Sequence, residues 1–191
     1  MKVICLGDSL TYGFGVLRNQ VWTTLSAEQT GFEIINAGIN GDTTSGMLAR
    51  FAQDVAQPHS DTVLIMGGIN DHIAGCPAGV MQSNVMAMVQ QASALGIQPI
   101  IGLPIPVCTE LLPPNWASLW RLRGADAELS TYLNWLPIFA QAFSIPLIDF
   151  RQPFFAAAQS TLSQLYLDGI HPTPFGHKLM AKTFISSILM L

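Results

Sequence analysis

The sequence is short of charge. Asp, Glu, Lys and Arg make up only 10% of its 191 residues, against roughly a quarter in an average soluble protein. Half of the chain is hydrophobic and the mean hydropathy is +0.39, which excludes an intrinsically disordered chain. Cations are scarce: eight Lys and Arg, placed singly or as the Arg121/Arg123 pair, give no basic footprint for nucleic acid. The three cysteines, Cys5, Cys76 and Cys108, are odd in number and widely spaced. They provide neither a disulfide framework nor a zinc pattern and are read as reduced, partly buried thiols. No apolar run reaches the roughly 18–20 residues of a membrane span, because polar residues, Gly or Pro interrupt every stretch. Met1–Gly7 is too short before its glycine to act as a secretory leader. With a net charge of −4, the expectation is one cytoplasmic globular domain over residues 1–191, its oligomeric state left open.

What the sequence does contain is an alternation of short apolar strands and longer helical patterns, the signature of an α/β fold. Lys2–Leu6, Phe32–Asn36, Thr62–Met66, Gln98–Leu103 and Pro146–Ile148 read as strands, and the first is apolar on both faces, as a buried parallel strand is. Val80, Met81, Val85, Met88, Val89, Ala92 and Leu95 recur at helical spacing, with Gly96 as the stop signal. Leu119–Phe143 is largely helical in pattern, with breaks expected at Gly124 and Pro137. A last helix is expected from Pro174 toward Ile188, burying Phe175, Leu179, Met180, Phe184, Ile185 and Ile188. Five parallel strands with helices on both faces bind ligands at the strands' carboxyl ends. The first three such ends, Gly7–Leu10, Asn36–Asp42 and Gly67–Asp71, are Gly-rich and polar, and converge on one rim.

That rim carries the candidate chemistry. Ser9 follows the first strand directly, and a serine hydroxyl becomes a nucleophile only when a base takes its proton. Of the four histidines, His171 has an acid fixed three residues before it, in Asp168-Gly169-Ile170-His171, so Asp168 can orient one ring nitrogen while the other faces Ser9. His59, His72 and His177 are read as non-catalytic, and no ligand set suggests a metal or another cofactor. The N–H groups of Gly41 and Ser9 and the side-chain amide of Asn70 supply donors for a developing oxyanion. Asp8 and Asp42 are read mainly as acceptors that organise loops, and Asp8 stands also as a candidate substrate contact. No G-x-S-x-G elbow surrounds Ser9, which disfavours the α/β-hydrolases.

Gly7-Asp8-Ser9-Leu10 resembles the first block of the GDSL, or SGNH, hydrolases. Gly41, within Gly38–Thr44, is similar to the second block, Gly68-Ile69-Asn70-Asp71 to the third, and Asp168-Gly169-Ile170-His171 to the last. Four blocks in order from Gly7 to His171 cover nearly the whole chain. Gly41–Arg50 looks most like the small bacterial thioesterase, lysophospholipase and arylesterase branch. The resemblance implies a three-layer α/β/α sandwich with a flavodoxin-like five-stranded parallel sheet. It also implies a nucleophile at Ser9, a base at His171 partnered by Asp168, oxyanion donors at Gly41 and Asn70, and neither metal nor cofactor.

The expected activity is hydrolysis of small-molecule esters or thioesters of small to medium acyl groups. Removal of acetyl groups from carbohydrate is the alternative within the same chemistry. A non-enzymatic anion or nucleotide binder, using the Gly7–Gly15 loop, is the alternative outside it. Leu103–Trp120 reads as a long loop beside the rim, in which Leu111 and Leu112 are expected to form an acyl wall.

Overall fold

A computed structural model describes residues 1–122, 127–157 and 162–191. Five strands, β1 (Lys2–Gly7), β2 (Glu33–Gly38), β3 (Thr62–Met66), β4 (Gln98–Leu103) and β5 (Leu147–Asp149), form one parallel sheet in the order β2-β1-β3-β4-β5. Strand order reverses between β1 and β3, which creates the crevice that ligands use in doubly wound sheets. The register sets Gly7 beside Gly38 on one side and Met66 on the other. The three strands therefore end level, and their loops leave along one rim.

Val3–Gly7 of β1 and all of β3 are buried. Side chains alternate between the two faces of a strand, so both faces of the sheet are covered. Two sets of helices supply the cover. Helices α2 (Trp22–Thr30) and α8 (Arg151–Ala157) pack against α10 (Pro174–Ile188), while α3 (Thr44–Phe51), α5 (Ala78–Ala94) and α7 (Ala127–Ala142) pack in a row. Trp22 anchors the first set. Its indole is buried against Phe150 and Phe184 at 5.4 and 5.2 Å, and its Nε1–H donates to the Leu10 carbonyl at 3.0 Å. Helices α1 (Ser9–Tyr12), α4 (Ile69–Ala74), α6 (Pro114–Leu122) and α9 (Leu162–Leu165) lie in the connections.

Several expectations change here. Val80, Leu95 and Phe175 are exposed, because the buried stripes of α5 and α10 run instead through Met81, Val85, Met88 and Ala92 and through His177, Met180, Ala181 and Phe184. Pro137 does not end a helix: α7 runs through it, and packing of α7 on α5 and β4 offsets an interior-proline cost of about 3 kcal/mol. Gly124 lies outside the described residues. The Leu103–Trp120 segment is not a structureless loop, since a short 3₁₀ turn at Thr109–Leu111 leads into α6. Pro114 opens that helix, where its missing N–H has no partner to lose.

Candidate active site

Asp8 closes β1 and caps α1, its Oδ1 accepting the Leu10 N–H at 2.9 Å. Ser9 thereby becomes the first residue of α1, held at the strand end. Its Oγ lies 3.0 Å from His171 Nε2, and His171 Nδ1 lies 2.7 Å from Asp168 Oδ2. The other carboxylate oxygen of Asp168 accepts the Ile170 and His171 N–H groups at 3.0 and 2.8 Å. One carboxylate thus folds its own turn and fixes the imidazole. Burial alone would raise the Asp168 carboxyl, but the hydrogen bonds from the His171 backbone, the His171 ring and Ile170 hold it below the usual range. It is an ionised acceptor, suited to holding Nδ1–H and leaving the Nε2 lone pair toward Ser9.

The turn itself depends on Gly169, at φ +87°, where an added Cβ would lie 2.4 Å from the Cys108 carbonyl oxygen. Both the left-handed backbone and that close approach require glycine.

Gly41 sits at φ +77° and Asn70 in the first turn of α4. Both face the same cleft as Ser9 and His171. The Asn70 side chain donates one N–H to the Asp42 carbonyl at 2.9 Å, which orients the amide and leaves its second N–H for the cleft. Arg50 fastens this loop to the sheet: Nε donates to Asp42 Oδ2 at 2.8 Å and a terminal nitrogen to the Gly7 carbonyl at 2.9 Å. Asp71, fully buried, accepts the backbone N–H and hydroxyl of Thr44 at 2.9 and 2.6 Å. Arg50, Asp71 and Thr44 thus set the geometry of Gly41 and Asn70. All three lie within the motif blocks, but their tasks leave no local pattern, because hydrogen bonds from Thr44 to Asp71 and from Arg50 to Gly7 span 27 and 43 residues.

The cleft has a volume of about 280 Å³, with Phe14, Ile73, Trp116 and Ile170 as its apolar lining. That is near the small end of the roughly 300–1,000 Å³ of small-molecule sites. Leu111 and Leu112 are not in it. They pack behind the Asp168–His171 turn, where backbone atoms of both lie close to Gly169, and Leu112 is buried. Trp116, in the first turn of α6, lines the cleft instead.

Asp8 is also corrected. It is 1% exposed and absent from the cleft wall, so it cannot contact substrate there; its role is that of a cap. Burial, partly opposed by the Leu10 N–H and reinforced by Asp71 and Asp42, pushes its carboxyl up to about 7. The remaining histidines stand away from the cleft. His72 packs on Trp120 at 4.5 Å, and His177 is buried, its Nδ1 accepting the Trp22 N–H at 3.4 Å. A second cleft of similar volume, beside Trp120, Leu133 and Arg151, holds none of Ser9, Asp168 and His171.

A serine hydroxyl, an imidazole and a carboxylate in one hydrogen-bonded row, facing one cleft with Gly41 and Asn70, have the arrangement that serine acyl hydrolysis requires. Residues 5–179 match the GDSL-like Lipase/Acylhydrolase family, and the chain belongs to that family. It is 31% identical over 179 residues to the arylesterase of Vibrio mimicus, covering 91% of this chain and 80% of that one. It is 28% identical over 193 residues to thioesterase 1/protease 1/lysophospholipase L1 of Escherichia coli K12, covering 94% and 81%. In fold it is similar to a lipolytic protein of the G-D-S-L family from Veillonella parvula, with a TM-score of 0.84, 24% identity and full coverage of both chains. Membership in an acyl hydrolase family sets aside the reading of Gly7–Gly15 as the cradle of a non-enzymatic anion binder. No helix among the described residues is long and apolar enough to cross a membrane.

Proposed function

We propose that the protein hydrolyses small-molecule carboxylic esters and thioesters of short to medium acyl groups through an acyl-enzyme on Ser9. The observation that carries this reading is the unbroken row Asp168–His171–Ser9 opening into the cleft that Gly41 and Asn70 also face. Ser9 Oγ attacks the acyl carbonyl carbon as His171 Nε2 takes its proton. The carbonyl oxygen gains negative charge, which the Ser9 and Gly41 N–H groups and the Asn70 amide are placed to stabilise. As the tetrahedral intermediate collapses, His171 returns the proton to the leaving alkoxide or thiolate. Water then attacks the acyl-enzyme with His171 as base, the bond from the acyl carbon to Ser9 Oγ breaks, Oγ takes the proton back from His171, and the acid leaves.

The cleft sets the acyl group. Its modest volume and its lining of Ile73, Trp116 and Ile170 favour chains longer than acetyl, with a plateau before palmitoyl. Each added CH₂ that enters contributes up to about 0.8 kcal/mol. A panel of nitrophenyl esters and acyl thioesters from acetyl to palmitoyl, with an acetylated sugar, tests the reading. A climb in kcat/KM from acetyl to a medium-chain plateau is expected. Turnover confined to the acetylated sugar would replace it with the carbohydrate alternative.

A further inference from the structure

Phe14 is the residue in the cleft whose presence the acyl-transfer chemistry does not by itself explain. Its ring is 44% exposed at the mouth and lies 4.4 Å from the His171 ring, centroid to centroid, tilted by 41°. An exposed phenylalanine is unremarkable by itself. What singles this one out is how it is held.

Gly13 ends α1 in the left-handed conformation, φ +85°, and Gly15 repeats it at φ +79°. Between them the chain doubles back. The Gly13 and Phe14 N–H groups both donate to the carbonyl of Ser9, at 3.0 and 3.1 Å, so the nucleophile's own peptide carries the loop that carries the ring. Arg18 closes the loop from outside. Its guanidinium donates to the Tyr12 and Gly13 carbonyls at 2.7 and 3.1 Å and lies 4.2 Å over the Tyr12 ring. A Cβ on Gly13 would meet Val21 at 2.3 Å, and one on Gly15 would meet Leu167 at 2.6 Å. The loop is therefore packed on both sides, against the approach to α2 and against the segment leading into Asp168.

The geometry points to Phe14 as a positioning residue for His171, a ring that fixes the plane of the imidazole and favours its cationic form. Asp168 holds the ring through Nδ1 and Ser9 through Nε2, and neither contact covers its face. A flat apolar neighbour does. When His171 takes the Ser9 proton, the imidazolium lies within the roughly 6 Å over which an aromatic face attracts a cation. The charge exists only after proton transfer, so the contact acts on kcat rather than on substrate binding.

This inference rests on His171 acting as the base, and the test separates the two. The titratable groups around the ring are Asp168 on its own turn, His177 from α10 and, beyond it, Arg18, which acts on His177. None is altered in the variants. Phe14→Leu keeps apolar cover and removes the π face; Phe14→Tyr keeps the face. Phe14→Leu is expected to lower kcat about threefold with KM little changed. It should move the acidic limb of kcat/KM about half a pH unit lower, the size of an exposed cation–π contact. Phe14→Tyr should restore both. An unmoved limb in Phe14→Leu, or a raised KM with kcat intact, makes Phe14 a substrate wall and overturns the inference. His171→Ala, measured alongside, guards the premise. Loss of turnover in His171→Ala with no shift in Phe14→Leu sinks only the role of Phe14, whereas retained turnover in His171→Ala removes the base and this inference with it.

Discussion

The Cys108 backbone N–H donates to the Gly169 carbonyl at 2.7 Å. The segment that leaves β4 is thereby fastened to the turn that holds Asp168 and His171. Leu111 and Leu112 belong to this fastening, which is why they sit behind the site rather than in it.

Gly169→Ala should break the relationship. The left-handed backbone costs a non-glycine residue about 1–2 kcal/mol, and the new Cβ meets a backbone oxygen that cannot rotate away. A lower melting temperature and a kcat/KM reduced at least tenfold are expected, because the row from Asp168 to Ser9 loses its alignment. Thermal melts and ester kinetics on one preparation check it. Unchanged values of both would mean the turn tolerates a side chain.

Asp168→Asn retains size and removes charge. Its amide can offer Nδ1 a donor instead of an acceptor, which favours the wrong tautomer, and kcat should fall by as much as about 10⁴-fold. Stability should fall too. The native state lowers the Asp168 carboxyl, so ionised Asp168 stabilises the fold above its unfolded pKa, and this is lost as pH falls through the folded value. The difference in melting temperature between wild type and variant should therefore shrink on acidification. A constant difference across that range would contradict the linkage.

His177 works in the opposite sense. Burial, then the charges of Arg18 and His171, lower it to about 4. The unfolded chain binds a proton that the native state refuses, so stability is lost as pH falls from about 6.5 toward 4, by about 3 kcal/mol at the lower end. Asp8, raised to about 7, opposes this by a similar amount, because the native state gains stability by keeping that proton. His177→Gln should gain stability relative to wild type as pH falls, and denaturant titrations at pH 7 and pH 4 read the difference. Equal pH dependence in both proteins would show that His177 does not titrate on unfolding.

Trp116→Ala should flatten the rise of kcat/KM with acyl length while sparing acetyl ester hydrolysis, because it removes cleft wall and leaves the donors alone. Leu111→Ser is expected to leave the chain-length profile unchanged. The opposite result, with Leu111 controlling length and Trp116 neutral, would return the wall to Leu111 and Leu112.

Much of this was legible in the sequence. The strands fell within two residues at each end, and α10 starts where Pro174, behind Thr173, marks a helix start. The convergence of Ser9, Gly41, Asn70 and the Asp168–His171 turn on one cleft was legible because each sits in a short block at a strand or helix end, where spacing alone limits geometry. Contacts that join distant segments were not. Nothing near Arg50 signals that it reaches Gly7, nothing near Phe14 signals His171, and the apolar pattern of Leu111 and Leu112 fits a cleft wall as well as the back of a turn. Only the packed fold separates those readings.

The central claim is that Ser9 carries the acyl group. A fluorophosphonate forms a stable adduct with an activated serine, and intact mass followed by peptide mapping locates it. One adduct per chain, on Ser9, absent from Ser9→Ala and strongly slowed in His171→Ala, is the predicted result. An adduct on any other residue, or one that persists undiminished in Ser9→Ala, would contradict the account.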